Sequence, residues 1–456
     1  MIAPMWSGSH GEGWAGREKD GRLKPLGVNG PEKAIQWGRW LGVRSRTQWQ
    51  PPNWHRRKRT PQAMATESCC SRLRADREAC SYLGSHLPTP MKKLFFLVYA
   101  LAAFSLRAAE GEKHLLYVAA PGIRNYLEYG GHGVLVFDIG HGHKFLRRIP
   151  FGGRDEKGVP RNVKGVCAHA GTRRLFVGTT HTLSCLDLVS EKVLWEKAFE
   201  GGCDRMSITP DGKEIYLPSL EKDFWNVVDA ATGDILQRIE TPGAGAHNTV
   251  VGASGAHAYL AGLRSPILRV VDTKTRAVIK EAGPFGSAIR PFTVNGKGTL
   301  CFVNVNGLLG FEVGDLTTGK KLHRVEVQGF TAGMVKRHGC PSHGVGLTPD
   351  EKEVWVVDGH NQRVHYFDAT TMPPKQLGSI ALRDQPGWVT FSLDGRFAYP
   401  STGEVIDVAT HRLVATLEDE EGRHVGSEKM LEIDFADSAP IRNGDQFGLG
   451  RVSREP

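Results

Sequence analysis

The sequence predicts an all-β protein, a seven-bladed β-propeller of four-stranded antiparallel blades closed by a C-terminal strand that completes the first blade. Three observations carry this. From residue 115 onward the chain is a series of short β-rich runs broken by Gly, Asp, Asn and Thr turns, with no amphipathic helical period. An Asp follows an apolar strand at Asp138, Asp187, Asp229, Asp272, Asp315, Asp368 and Asp407, in steps of 49, 42, 43, 43, 53 and 39 residues. Near the end, Met430-Leu431-Glu432-Ile433-Asp434-Phe435 alternates as an innermost strand does and is followed by no second strand.

The chain divides into four segments. Residues 1–90 have no sustained hydrophobic period and carry 15 Lys+Arg against 7 Asp+Glu, so they cannot build a core of their own. Met91-Lys92-Lys93, the apolar run Leu94 to Phe104 and the small residues around Ala103 and Ser105 read as a signal peptide over 91–109. Such a signal is read at a chain start, so the expectation is that Met91 is the true start and residues 1–90 a disordered basic extension. The alternative is a basic arm whose Arg56-Arg57-Lys58-Arg59 run meets acidic partners. The propeller spans 110–435 and a tail 436–456. The apolar run is too short to cross a bilayer, which makes the expected product an exported protein, periplasmic or extracellular, with no transmembrane segment.

Charge excludes a nucleic-acid partner as the first reading. The formal net charge is +9, yet residues 110–456 hold 40 bases against 42 acids, so the excess lies outside the part that folds. Five cysteines fall in the mature part, Cys167, Cys185, Cys203, Cys301 and Cys340. An odd count leaves at least one unpaired, and four sit in apolar runs, which favours small buried side chains over a disulfide framework.

The repeat unit is plainest in residues 206–240, where Thr209-Pro210-Asp211-Gly212 makes a tight turn and Asp229-Ala230-Ala231-Thr232-Gly233 a second one, its carboxylate placed to accept backbone N–H bonds. Leu115 to Val118 matches the second strand of that unit, so the first blade lacks an innermost strand, and Met430 to Phe435 supplies it. Truncation before about residue 428 is expected to open the ring. With Thr209 to Leu217, Leu347-Thr348-Pro349-Asp350 with Val354 to Val357, and Phe391 to Ala398, the chain resembles the YVTN-type β-propeller repeat family over about residues 112–435. The second unit departs from it, with Ala170-Gly171-Thr172 at the Pro-Asp-Gly position. The resemblance implies architecture rather than chemistry, because that family and its relatives include binding proteins, lactone hydrolases and dehydrogenase subunits.

In a four-stranded blade both turns fall on one face, and the longer connections fall on the other. That second face is the irregular one: Pro121 to Gly133, Leu220 to Phe224, Gly262 to Pro266, Asp358 to Arg363 and an insertion, Gln328 to Pro341. Aligning the units on the first turn places one residue per blade at the channel mouth: Lys164, Asp204, His247, Arg290, His343 and Gly387, with Lys429 as the seventh. A ring of cationic and imidazole side chains suits a small anionic ligand. Alternatively, strand-starting residues at a wet channel mouth are polar only because they are solvated. Within the insertion, His338, Cys340 and His343 supply imidazole and thiol donors for Zn or Cu, with His360, His365 or His132 as a fourth ligand. The same loop also reads as an ordinary polar connection.

No G-x-S-x-G elbow, H-E-x-x-H pair, C-x-x-C-H haem attachment or P-loop is present. The function read from these residues is an exported ligand-binding or protein-interaction module with its site at the funnel, its partner a small anionic ligand or an envelope protein. The alternative is a periplasmic propeller enzyme, a lactonase-like hydrolase or dehydrogenase subunit, with a metal as an optional cofactor.

Overall fold

A computed structural model describes residues 111–452. The basic extension, the segment read as a signal peptide and the last four residues lie outside the described residues. Seven antiparallel sheets form the ring: six have four strands in sequential order from the channel outward, and one has five. Among the described residues, two single-turn 3₁₀ helices, Leu127–Tyr129 and Ile139–His141, are the only helical elements, and no helix is long and apolar enough to cross a membrane.

Each blade follows one burial gradient. In the blade of Ser207–Ile208, Glu214–Pro218, Phe224–Asp229 and Ile235–Glu240, the middle strands are almost wholly buried and the outermost is mostly exposed. Apolar side chains from neighbouring blades interlock between the sheets, as Phe176, Leu183, Met206, Ile215 and Leu217 do. The two repeated turns are built as their residues dictate. Gly212 has φ +70°, donates its N–H to Thr209 O at 2.8 Å, and has no room for a Cβ against the His169 ring of the preceding blade. Asp229 accepts the N–H groups of Ala231 and Thr232, both at 2.8 Å. Where the second unit lacks Pro-Asp-Gly, His169 lies against the next blade's turn, its Nε2 2.9 Å from Pro210 O.

Ring closure is as expected: Met430–Ala436 pairs antiparallel with Lys113–Ala120, Leu115 opposite Ile433 and Tyr117 opposite Leu431. The tail departs from the sequence expectation that no second strand comes after the closing one. Ala439–Asn443 adds a fifth strand on the channel side of Met430–Ala436, and the chain then runs across the channel on the face of the tight turns. The inner edge of every innermost strand carries backbone groups without ladder partners, and the tail satisfies several. Gln446 accepts from Val166 N at 3.2 Å and donates to Met206 O at 3.1 Å. Gly448 O accepts from Leu347 N at 2.9 Å and Thr293 Oγ1 at 2.7 Å, and Gly450 N donates to Val294 O at 3.1 Å. The channel is therefore closed from below and open as a funnel above. The five cysteines among the described residues, Cys167, Cys185, Cys203, Cys301 and Cys340, are buried free thiols.

Candidate functional site

The innermost strands start at the irregular face, so their first residues converge there. Lys164, His247, Arg290, His343 and Lys429 line one cavity of about 110 Å³. Of the long connections, Pro121 to Gly133 contributes Arg124, Leu220 to Phe224 contributes Glu221, Gly262 to Pro266 contributes Leu263, and the insertion contributes Arg337 and His338. The insertion is tied over the mouth: Lys336 N donates to Gln385 Oε1 at 2.9 Å, and Arg337 pairs with Asp384 and donates to Tyr129 Oη at 2.7 Å.

Most of the ring positions are buried and paired rather than solvated. His247 is 3% and His343 6% exposed, and Asp204 has no exposure at all. His247 and Arg290 both lie on innermost strands, Ala246–Val251 and Ile289–Val294, and not on loops. Asp204 does not line the cavity. Its carboxylate sits beneath, accepting the His247 Nδ1–H at 2.6 Å, with Lys164 Nζ at 3.6 Å and Arg205 Nη1 at 3.4 Å. Burial opposes its ionisation, but the His247 N–H bond and the Lys164 and Arg205 charges outweigh burial and hold the carboxyl well below its ordinary range. Burial dominates on the imidazole, which is pushed down to about 4. Neutral His247 with Nδ1–H committed to Asp204 leaves Nε2 as an acceptor, and Arg205 Nη1 donates to it at 3.2 Å.

Arg205 and Glu428 are central residues that the sequence pattern does not single out. Arg205 is 2% exposed; its Nη2 donates to Glu428 Oε2 at 2.6 Å and its guanidinium lies 4.6 Å over the Trp388 ring. Lys429 Nζ donates to the same Glu428 Oε2 at 2.7 Å, and burial pushes this ammonium down to about 7. Trp388 lies behind Arg205 rather than in the cavity wall. It donates its indole N–H to Gln446 O and packs at 5.9 Å on Phe447, so the tail supports the funnel from below.

His338 and His343 stack with ring centroids 4.2 Å apart. Their third neighbour is Glu428 rather than the thiol: His338 Nε2 is 3.2 Å from Glu428 Oε1, and ligating atoms of His338, His343 and Glu428 all lie within 4.8 Å of one another. Cys340 is removed from the expected donor set. Its Sγ donates to Ser342 O at 3.1 Å, and burial pushes the thiol up to about 12. His360, His365 and His132 are held elsewhere, by Met334 O, Asp358 and the Phe151 ring. The glycine at the seventh blade's ring position has its reason here, because a Cβ on Gly387 would collide with His338 Nε2 and Glu428 Oε1.

Six basic side chains, Arg124, Lys164, Arg205, Arg290, Arg337 and Lys429, the last with its charge weakened by burial, face two carboxylates, Glu221 and Glu428, in the cavity wall. Among the described residues Arg290 has no carboxylate within ion-pair distance. Its Nε donates to Asn306 Oδ1, and Gly339 keeps the space beside its guanidinium open.

No protein-family model matches this sequence, and no curated protein matches it. Among solved structures, the chain is similar to hydrazine synthase of Kuenenia stuttgartiensis, at 14% identity over 55% of this chain and 94% of that one, with a TM-score of 0.38. So distant a likeness carries no argument about the site.

Proposed function

We propose that this seven-bladed propeller is an exported binding protein of the YVTN type whose funnel takes a small oxyanion, a carboxylate or a phosphate. The observation that carries the reading is the excess of cations in the cavity wall, with the Arg290 guanidinium left without a carboxylate partner. Burying charge is costly, and a buried charge network is weak support for stability. A cluster of this kind at the mouth of a rigid scaffold is better accounted for by a ligand of opposite sign. The cavity of about 110 Å³ suits an anion of phosphate or oxalate size, well below the several hundred Å³ of sites for drug-sized ligands. Export rests on the Met91 to Ala109 segment of the sequence.

At His247, one of the two imidazoles at the ring positions, binding is favoured over hydrolysis. Its Nε2, where a general base would take a proton, already accepts from Arg205.

A thermal-shift series with oxalate, phosphate, sulfate and a neutral sugar tests the reading. At 100 times Kd a true ligand adds about 2.7 kcal/mol, a rise on the order of 5 °C. The expected result is such a rise with one or more oxyanions, none with the sugar, and its loss in Arg290→Ala. Equal shifts in wild type and Arg290→Ala would remove the funnel as the binding place.

A further inference from the structure

The geometry points to a divalent transition-metal site in the funnel, with His338 Nε2, His343 Nε2 and Glu428 Oε1 as protein ligands and the bound oxyanion completing the coordination. The inference deepens the oxyanion reading and rests on it for the identity of the remaining ligand.

Each donor atom is singled out by a bond to the other atom of its group or by what lies beside it. His343 donates Nδ1–H to Gly387 O at 3.0 Å, which fixes the tautomer and leaves the Nε2 lone pair free. The Oε2 of Glu428 is occupied by Arg205 and Lys429, so Oε1 is the oxygen turned to the imidazoles. His338 Nε2 lies 3.2 Å from that Oε1.

One ligand atom from each of His338, His343 and Glu428 lies within 4.8 Å of those of the other two. Ligation at roughly 2.0–2.2 Å requires separations of about 3–4 Å, which a movement of under about 1 Å provides. His338 can supply it, because it belongs to the insertion rather than to a blade strand. The space that a Cβ on Gly387 would fill lies against two of the three donors.

Three protein ligands opening on a cavity are the arrangement of a metal with a vacant position, not of a closed structural site. Two imidazoles and one carboxylate suit Zn²⁺, Fe²⁺ or Co²⁺. The thiol-free set disfavours the soft Cu⁺. Arg124, Lys164 and Arg290 stand on the cavity wall, where they would neutralise the anion that the metal holds. The wall's positive charge opposes a bare cation but not a metal–oxyanion pair, so metal and anion should bind each other's complex more tightly than the free protein.

The experiment uses the full chain, stripped with EDTA and dialysed against Zn²⁺ or Co²⁺ with and without oxalate, read by elemental analysis and by Co²⁺ visible absorption. The expected result is one metal per chain in the presence of oxalate, Co²⁺ bands typical of four or five ligands, and at least tenfold weaker uptake in His343→Ala and His338→Asn. Cys340→Ser should retain the metal, which separates this donor set from one containing the thiol. His338→Asn guards against misfolding of the more deeply seated His343 variant, and circular dichroism verifies both. Less than about 0.1 metal per chain in wild type, or uptake unchanged in both His variants, would overturn the site. If no metal is taken up while oxalate still binds in an Arg290-dependent way, the metal proposal fails and the oxyanion reading stands. If neither binds, both fail.

Discussion

His247 Nδ1 stands 2.6 Å from Asp204 Oδ2, a bond between the ring positions of two neighbouring blades that ties the funnel wall to a carboxylate with no solvent exposure. The same carboxylate also faces Lys164 and Arg205. One acid therefore holds the positions of three groups that line the cavity.

Replacing Asp204 by Asn keeps an oxygen for the His247 N–H and removes the charge that offsets Lys164 and Arg205. Breaking a buried ion pair costs about 3–5 kcal/mol, and urea unfolding at pH 7 should show a loss of that order. The carboxyl is held below its ordinary value of 3.8 in the folded protein, so its contribution is fully present above that value and lost as pH falls below it. The gap between wild type and Asp204→Asn should therefore close under acid. A gap that stays constant from pH 7 down to pH 3 would contradict the charge account.

A second buried acid acts in the opposite sense. Glu432 and Asp434 lie side by side on the closing strand, Met430–Ala436. Burial, with Asp434 beside it, pushes the Glu432 carboxyl up to about 8. The unfolded chain loses this proton near pH 4.5 while the folded chain keeps it, so folding stability drains away as pH rises from about 4.5 to 8. Glu432→Gln can keep the Leu393 N–H bond and donate to Asp434. Calorimetry should show its melting temperature gaining on wild type between pH 5 and pH 8, by on the order of 5 °C. A difference independent of pH would mean the two acids do not share a proton.

Deleting residues 444–456 removes the tail that supports Trp388 but leaves the closing strand in place. The ring should still unfold cooperatively, at a lower temperature. Hydrogen exchange should quicken at Leu347, whose N–H is bonded to Gly448 O, and not at Val118 within the closing ladder. Deletion from residue 428 should abolish the cooperative transition. Unchanged exchange at Leu347 after the shorter deletion would show that the tail does not hold the channel edge.

The blades are legible in the sequence because their signals are local. An Asp at a strand end and the Thr, Ser or Ala two or three residues on make their turn without help from the rest of the chain, as at Asp229, Asp272 and Asp315. Strand register likewise places Lys164, His247, Arg290 and His343 around one opening. Arg205 and Glu428 escape that pattern for a physical reason. Each adjoins a ring position, where alternation sends a neighbour to the opposite face. The ladder of the inner strand beyond Arg205 begins only at Ser207, however, so Asp204 and Arg205 both turn inward. The tail escapes because its hydrogen bonds run to the inner strands of other blades, hundreds of residues away, and no sequence period reports such pairing. Spacing alone makes Cys340 a metal donor, while burial beside Ser342 O turns it away.

Titration calorimetry of oxalate and phosphate into wild type and Arg290→Ala, at low and at physiological ionic strength, tests the funnel most directly. The account predicts one site per chain, affinity that falls as salt screens the cationic wall, and a loss of about tenfold or more in Arg290→Ala with the fold intact. Binding of equal strength in both proteins, or no heat with any oxyanion in wild type, would contradict it.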